Sequence, residues 1–491
     1  MLAVALAAVA SSAWGQDGQG PGPEDPVARR APEDQTPGDP LQIAPLQRPP
    51  TPPAPGGPGA AVEPLPSDLA RRVDELEKRL ARSAELEAAA KKLAASKPLV
   101  AASGRIHFDI ASFSQDATST AQFGDVPNAV GFRRARIALL GEAFDVVDYI
   151  FEMDFANRGV DSLINSKDQS TAFKDVYVQV QELPLLGNVR VGHFKECFGL
   201  DQLISDNYTT FMERSIDDEG AFVPGRNNGL MAFNWTENER ATWAIGTFTN
   251  HTGFDQPATF QFDRWGLDLT MRATYLPWYD EPSGGRGLFH TGLAYAYRSA
   301  PDHIATFAAR PEAAFGPGVV NFILTDVDAS HVVGVEAALV FGPLSVQSEF
   351  FGMTVNRLGG ESNNFYGTYA YVSYFLTGES RPYNRKLGVF DRVRPFENFF
   401  RVRTGDGAIE TGRGAWEVAY RFSYIDMLDD LAVKGAGRAA EHTIGLSWYL
   451  NPYTKVMWNY VHSQDTYNVT SSRTLKDGNL DIFEMRCAID F

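Results

Sequence analysis

The sequence predicts an all-β membrane barrel of about sixteen antiparallel strands, and three observations lead there. From Gly104 to Phe491, apolar and polar residues alternate with a period of two in segment after segment. Trp, Tyr and Phe recur on the apolar parity near strand ends, and charges occupy the other, the polar-in, apolar-out pattern of a barrel in lipid rather than that of a soluble sandwich. No run of eighteen apolar residues follows the first few positions, so any crossing of a membrane is made by strands. The last ten residues show the pattern in its clearest form. Phe483, Met485, Cys487, Ile489 and Phe491 alternate with Glu484, Arg486 and Asp490. A strand that closes a barrel has a reason to stop on an aromatic, because the ring sits in the interfacial girdle.

The N-terminal region reads differently. Residues 1–15 are a short apolar run, Leu2 to Ala10, followed by the small residues Ala13 and Gly15, and are expected to be an export signal. Residues 16–66 are crowded with proline, glycine and aspartate, and are expected to be a disordered, partly extended linker. Residues 67–97 change character. Ser67 or Asp68 can cap a helix, and Leu69, Val73, Leu76 and Leu80 follow at coiled-coil spacing among charged residues. About two heptads are marginal alone, so this short periplasmic helix is expected to gain support from an assembled barrel; a single solvated helix is the alternative.

The strands follow in order. Ile106, Phe108 and Ile110 alternate with Arg105, His107 and Asp109; Ile137 and Leu139 oppose Arg134 and Arg136; Tyr149, Phe151, Met153 and Phe155 oppose Glu152 and Asp154. Val176 to Val180, Val189 to Val191, Met231 to Trp235 and Trp243 to Thr247 give four more. The second half continues through segments centred on Leu269, Leu293, Val335, Val346, Val372, Tyr420, Leu446 and Trp458, and the terminal strand makes sixteen. An even number suits a closed bacterial barrel, and sixteen leaves room for a wet lumen. Short links such as Gly342-Pro343 and Asn451-Pro452-Tyr453 are expected on the periplasmic side. Long ones, including residues 199–228, 300–330 and 378–413, are expected outside or folded into the pore.

Composition narrows the chemistry. The net charge is −17, and 13 acidic against 11 basic residues precede Gly104, so nearly all of the excess belongs to the barrel. That argues against nucleic acid as a partner. Cys197 and Cys487 are the only cysteines, too few for a disulfide framework or a tetrahedral zinc site, and no metal or cofactor is expected. There is no GxSxG elbow, HExxH, phosphate-binding glycine loop or CxxC, so a hydrolytic barrel has nothing to support it and the chain is not expected to be an enzyme.

Several motifs occur in order: Gly131-Phe132-Arg133-Arg134-Ala135-Arg136, Phe151-Glu152-Met153-Asp154-Phe155-Ala156-Asn157, Asn188-Val189-Arg190-Val191-Gly192, Phe211-Met212-Glu213-Arg214-Ser215, Phe222-Val223-Pro224-Gly225-Arg226-Asn227, Leu376-Thr377-Gly378-Glu379, Gly414-Ala415-Trp416-Glu417 and Trp448-Tyr449-Leu450-Asn451-Pro452. Through these, residues 104–491 resemble the phosphate-selective porin O and P family. The resemblance implies a homotrimeric outer-membrane porin embedded in lipid, with basic residues guiding small anions such as phosphate or polyphosphate through a wet lumen. Arg105, Arg134, Arg136, Arg190, Arg272, Arg421 and Arg486 lie on the polar parity, and Lys195, Arg214 and Arg226 lie in residues 194–229, which are long enough to fold inward. Each of these ten either guides anions or pairs with a carboxylate and braces the wall. Glu152, Asp154, Asp268, Glu336, Glu349, Glu417, Glu484 and Asp490 share the lumen parity, so a general or cation-preferring pore, or a barrel tethered through its coil, remains open.

Overall fold

The computed structural model describes residues 100–156, 171–218, 221–223, 225–249, 266–403, 409–429, 433–470 and 474–491, together with Lys78 and Arg82. The expected export signal, linker and, apart from those two residues, coiled coil lie outside the described residues. Sixteen strands close one antiparallel barrel in chain order. They are β1 (Ala101–Gln115), β2 (Ala129–Ala143), β3 (Val147–Asp154), β4 (Ala172–Leu183), β5 (Gly187–Lys195), β6 (Arg226–Trp235), β7 (Ala241–Thr249) and β8 (Leu267–Tyr279). The second half is β9 (Gly287–Ser299), β10 (Val327–Phe341), β11 (Leu344–Arg357), β12 (Ser362–Phe375), β13 (Ala415–Asp426), β14 (Gly437–Asn451), β15 (Thr454–Asn468) and β16 (Leu475–Asp490). No described helix is long and apolar enough to cross a membrane.

The greasy side faces out. On β13, Phe422 is 36% exposed while Arg421 and Glu417 are 1% and 2% exposed, and the same alternation runs along β8, β12 and β14. Ladder pairing makes this obligatory: a slip of one residue would turn every charge toward lipid. The barrel closes between β16 and β1, where Arg486 stands opposite Asp109 and Cys487 opposite Phe108. Cys487 is exposed on the outer face, as its parity predicts. Beyond the ladder, the Phe491 amide donates to the Gly104 carbonyl at 3.0 Å, and the Phe491 carbonyl accepts from the Gly104 amide at 3.0 Å.

Two connections from one end of the barrel turn inward. The 196–225 loop between β5 and β6 carries α2 (Leu200–Leu203), and the 300–326 loop between β9 and β10 carries a hairpin of Ile304–Ala309 with Val320–Thr325. Phe198 and Phe222 of the first loop and Phe307 and Phe322 of the second bury against Phe351 and Phe365 of the wall. An apolar cluster therefore lies inside the lumen, on the side of β10 to β12, and smaller ones lie against β5 to β7 and against β15 and β16. The β1–β2 loop adds the short helix α1 (Ala117–Phe123), capped by Asp116, whose carboxylate accepts the Ser119 amide at 2.7 Å.

Two expectations about loops need correction. Residues 462–479 are not a loop, because β15 and β16 pair as far as Asn468 and Leu475. Residues 378–413 were expected at the end that holds the other long loops. They join the twelfth strand to the thirteenth, so they emerge at the end that holds the start of β1, the end of β16 and the short turns. From there the insert folds up into the lumen. Val389 and Phe390 pack on Leu200, Ile204, Leu276 and Leu288, Arg385 donates to Glu281 at 3.0 Å, and Arg392 pairs with Asp490. Alternation in loop length could not place this segment, because only the count of strands before it decides its end.

Gly104 should be essential to closure. A Cβ there would lie 2.7 Å from the Arg136 carbonyl, which is ladder backbone and cannot move aside. Gly104→Val is expected to lower the fraction of barrel that migrates as folded on unheated SDS gels. Gly352→Ala, whose Cβ meets only ordinary contacts from 3.6 Å, should leave it unchanged.

Candidate functional site

The lumen is organised by arginines that reach from the wall to the 196–225 loop. Arg486 of β16 holds Asp109 with both ends of its guanidinium, at 2.7 and 2.6 Å, and reaches Glu213 of the loop at 2.5 Å. From β2, Arg134 meets Asp206 at 3.0 Å and Glu213 at 3.6 Å, and Arg136 bridges Asp154 at 2.7 Å to Asp206 at 3.1 Å. Arg421 of β13 donates to the Glu213 carbonyl at 3.1 Å, pairs with Glu312 of the other inward loop at 2.5 Å and stacks on Phe211 at 4.4 Å. Arg214 lies in the loop itself. It meets Asp206 at 2.8 Å and the carbonyls of Asp201 and Ile204 at 3.0 and 2.9 Å. These five predicted residues, Arg134, Arg136, Arg214, Arg421 and Arg486, are paired struts. Planar, bidentate guanidinium groups suit that task.

Arg133 belongs with them and was missed. Strict alternation puts it outside, but a bulge pairs His107 with Arg134 and Phe108 with Phe132, making Arg133 the extra residue of β2 between them. Its side chain turns in and grips Glu213 at 3.0 and 2.8 Å. The sequence signal was the run of two consecutive arginines in a strand otherwise alternating.

Electrostatics follow the same geometry. Burial alone would raise the Asp206 carboxyl, but Arg134, Arg214 and Arg136 outweigh it and hold it well below the usual carboxylate range. At Asp217, farther along the loop, burial outweighs the pull of Arg421 and pushes the carboxyl up to about 7. Neither of its carboxylate oxygens has a hydrogen-bond partner among the described residues.

The remaining predicted residues gather elsewhere. A cavity of about 320 Å³ is lined by Arg105, Arg190, Lys195, Arg226 and Arg272 from the wall and by Lys386 from the insert, with Asp175 and Asp206 as its carboxylates. Four of the six cations are paired: Arg105 with Glu152 at 3.0 Å, Arg226 with Asp175 at 2.8 Å, Arg272 with Glu336 at 2.7 Å and Lys386 with Glu239 at 3.8 Å. The other two hold only neutral groups among the described residues. Arg190 donates twice to Gln179 Oε1, at 3.0 and 2.8 Å, and stacks on Tyr177 at 4.1 Å. Lys195 Nζ donates to the carbonyls of Gln202 and Ile204 at 2.6 and 3.3 Å. Neither has a carboxylate in contact among the described residues. Cys197, buried beside them, donates to the Thr270 carbonyl at 3.5 Å, and burial fits an unreactive thiol. Among the described residues no group of His, Cys, Asp and Glu is arranged to hold a metal ion.

Residues 100–491 match the sequence model of the family described as phosphate-selective porin O and P. The chain belongs to that family. This porin is 26% identical over 411 residues to Porin O of Pseudomonas aeruginosa, covering 77% of its own length and 85% of that relative. It is also 26% identical over 375 residues to an uncharacterized protein of Caulobacter vibrioides, covering 73% of this chain and 67% of the other. Among solved structures, it superposes on an anion-selective porin from Comamonas acidovorans with a TM-score of 0.46 at 13% identity, covering 80% of this chain and 100% of that one. OmpT of Vibrio cholerae, in its trimer form, gives 0.47 at 9% identity, covering 80% and 99%. Membership makes this an outer-membrane channel protein and not an enzyme.

Two outcomes follow from the struts. Arg486→Met leaves Asp109 buried without its two-ended guanidinium partner and takes one of three guanidinium groups from Glu213, and is expected to cost about 3–5 kcal/mol, read as a lower guanidinium midpoint of the reconstituted porin. Asp217 gives a pH signature. Its folded pKa of about 7 exceeds the value of about 3.9 for an unfolded aspartate, so its destabilisation grows as pH rises from 4 to 7 and is constant above. Asp217→Asn should therefore raise the midpoint at pH 8 and leave it unchanged at pH 4.

Proposed function

We propose that this porin passes small anions by passive diffusion through the cavity beside β5, with Arg190 and Lys195 selecting for charge. The observation that carries the reading is that these two cations face the cavity with no carboxylate in contact among the described residues, while Asp109, Asp206 and Glu213 are held by the struts. One fixed charge acting on an ion 8 Å away in an effective dielectric near 20 contributes about 2 kcal/mol, more than a tenfold preference over the opposite sign. A net acidic protein can thus hold an anion-selective passage, because selectivity is set where the path is narrow and poorly hydrated. Phosphate, named in the family's description, is one such anion.

The same reading takes the porin as a homotrimer in outer-membrane lipid. Its N-terminus leaves the barrel at the short-turn end, so the coil over residues 67–97 would hang in the periplasm and support assembly. The struts Arg134, Arg136, Arg214, Arg421 and Arg486 act on the ion only through the shape they give the 196–225 loop.

In planar bilayers under a tenfold potassium chloride gradient, the reversal potential is expected to show chloride carrying most of the current. Arg190→Gln and Lys195→Gln should each move it toward the potassium side. A cation-selective wild-type channel overturns the proposal. Removing residues 67–92 is expected to reduce the trimer band on native gels, and unchanged oligomers would remove the assembly role of the coil.

A further inference from the structure

The cavity has a second surface that a bare inorganic ion does not use. Met231 and Phe233 of β6, Ala244 of β7, Leu203 of α2, and Leu387 and Val389 of the insert all line it. Their placement is regular. Met231 stands directly opposite Arg190 in the β5–β6 ladder, and Phe233 stands opposite Ala244 in the next. An apolar strip thus begins beside that guanidinium and runs away from it around the wall. Leu387 and Val389 approach from the lumen side, held there because Arg272 donates to the carbonyl of the intervening Gly388 at 2.9 Å. Two chain segments far apart in sequence converge to make a pocket with a charged end and an oily body.

For phosphate such a strip is a handicap, since it displaces hydrating water and offers no hydrogen bond in return. For an anion with a hydrocarbon body it is an attraction. The volume of about 320 Å³ falls at the lower end of small-molecule sites, roughly 300–1,000 Å³, which pair a largely apolar lining with a few fixed polar groups. We infer that this cavity is a binding site for organic monocarboxylates, whose carboxylate meets Arg190 and Lys195 and whose aromatic or branched aliphatic body lies on Met231, Phe233, Ala244 and Leu387. The inference rests on the anion-channel reading and narrows its substrate class. Arg190 suits the role, because the faces of Tyr177 and Phe233, at 4.1 and 5.2 Å, hold its guanidinium in place. A tenfold preference for the organic acid, about 1.4 kcal/mol, requires roughly 55 Å² of apolar contact at 25 cal/mol per Å².

The test compares benzoate, acetate and inorganic phosphate as blockers of chloride current through the full-length porin in planar bilayers. Benzoate is expected to half-block at a concentration about tenfold below that of acetate or phosphate. Leu387→Ser and Met231→Ser should each bring the benzoate-to-acetate ratio close to one. An anion-selective current that benzoate and acetate block equally overturns the inference and leaves the anion channel standing, as does a benzoate preference that survives both substitutions. A cation-selective current overturns the channel reading and the inference with it.

Discussion

Everything inside this barrel depends on the match between arginines on the wall and carboxylates on the 196–225 loop. A sheet of sixteen strands in lipid turns most of its apolar side chains out, so apolar packing inside holds only part of what fills the lumen. The rest is held by ion pairs, and Arg133, Arg134, Arg136 and Arg486 supply them by converging on Asp206 and Glu213. Buried ions are costly unless each is paired and hydrogen-bonded. Here each of the two carboxylates meets more than one guanidinium, so the loop can leave its place only by stranding several charges at once. Glu349 of β11 anchors the same loop from the far wall, accepting the amides of Leu200 and Asp201 at 2.6 and 2.9 Å.

That anchoring has a consequence for conduction. With the 196–225 and 300–326 loops packed against β10 to β12, the open space lies toward β3 to β8, where Arg190 and Lys195 are. Most of the arginines in the lumen are not available to a passing ion, since their charge is spent on the loops. The residues that remain are few, and one of them, Arg190, is held by a neutral amide and aromatic faces in place of a carboxylate. The distinction between a strut and a selecting residue is thus a matter of who the neighbour is, not of residue type or parity. The insert of residues 376–414 completes the arrangement by entering from the opposite end and placing Lys386, Leu387 and Val389 across the same space.

The parity of the strands was legible from the sequence, and so was their number. Period-two alternation is a local property that survives any arrangement of neighbours, and a lipid face demands it of every strand. The inward course of residues 194–229 could be anticipated from length and mixed charge. Arg133 could not, because a bulge depends on the partner strand, and β1 and β2 differ by one residue between the bonds that bracket it. Nor could the end from which residues 378–413 emerge be read from their length alone.

By itself, then, the sequence determined a sixteen-stranded barrel with its rings outward, its charges inward and Phe491 at the seam, because these follow from side chains two apart and from a solvent that tolerates no unpaired backbone. It also put ten basic residues forward as lumen candidates, though not Arg133. Only the tertiary structure decided which of them meet a carboxylate. Arg486 and Asp109 are 377 residues apart, and Arg421 meets Glu213 from 208 residues away. Whether a guanidinium is neutralised depends on such distant partners, and no periodicity along the chain records them.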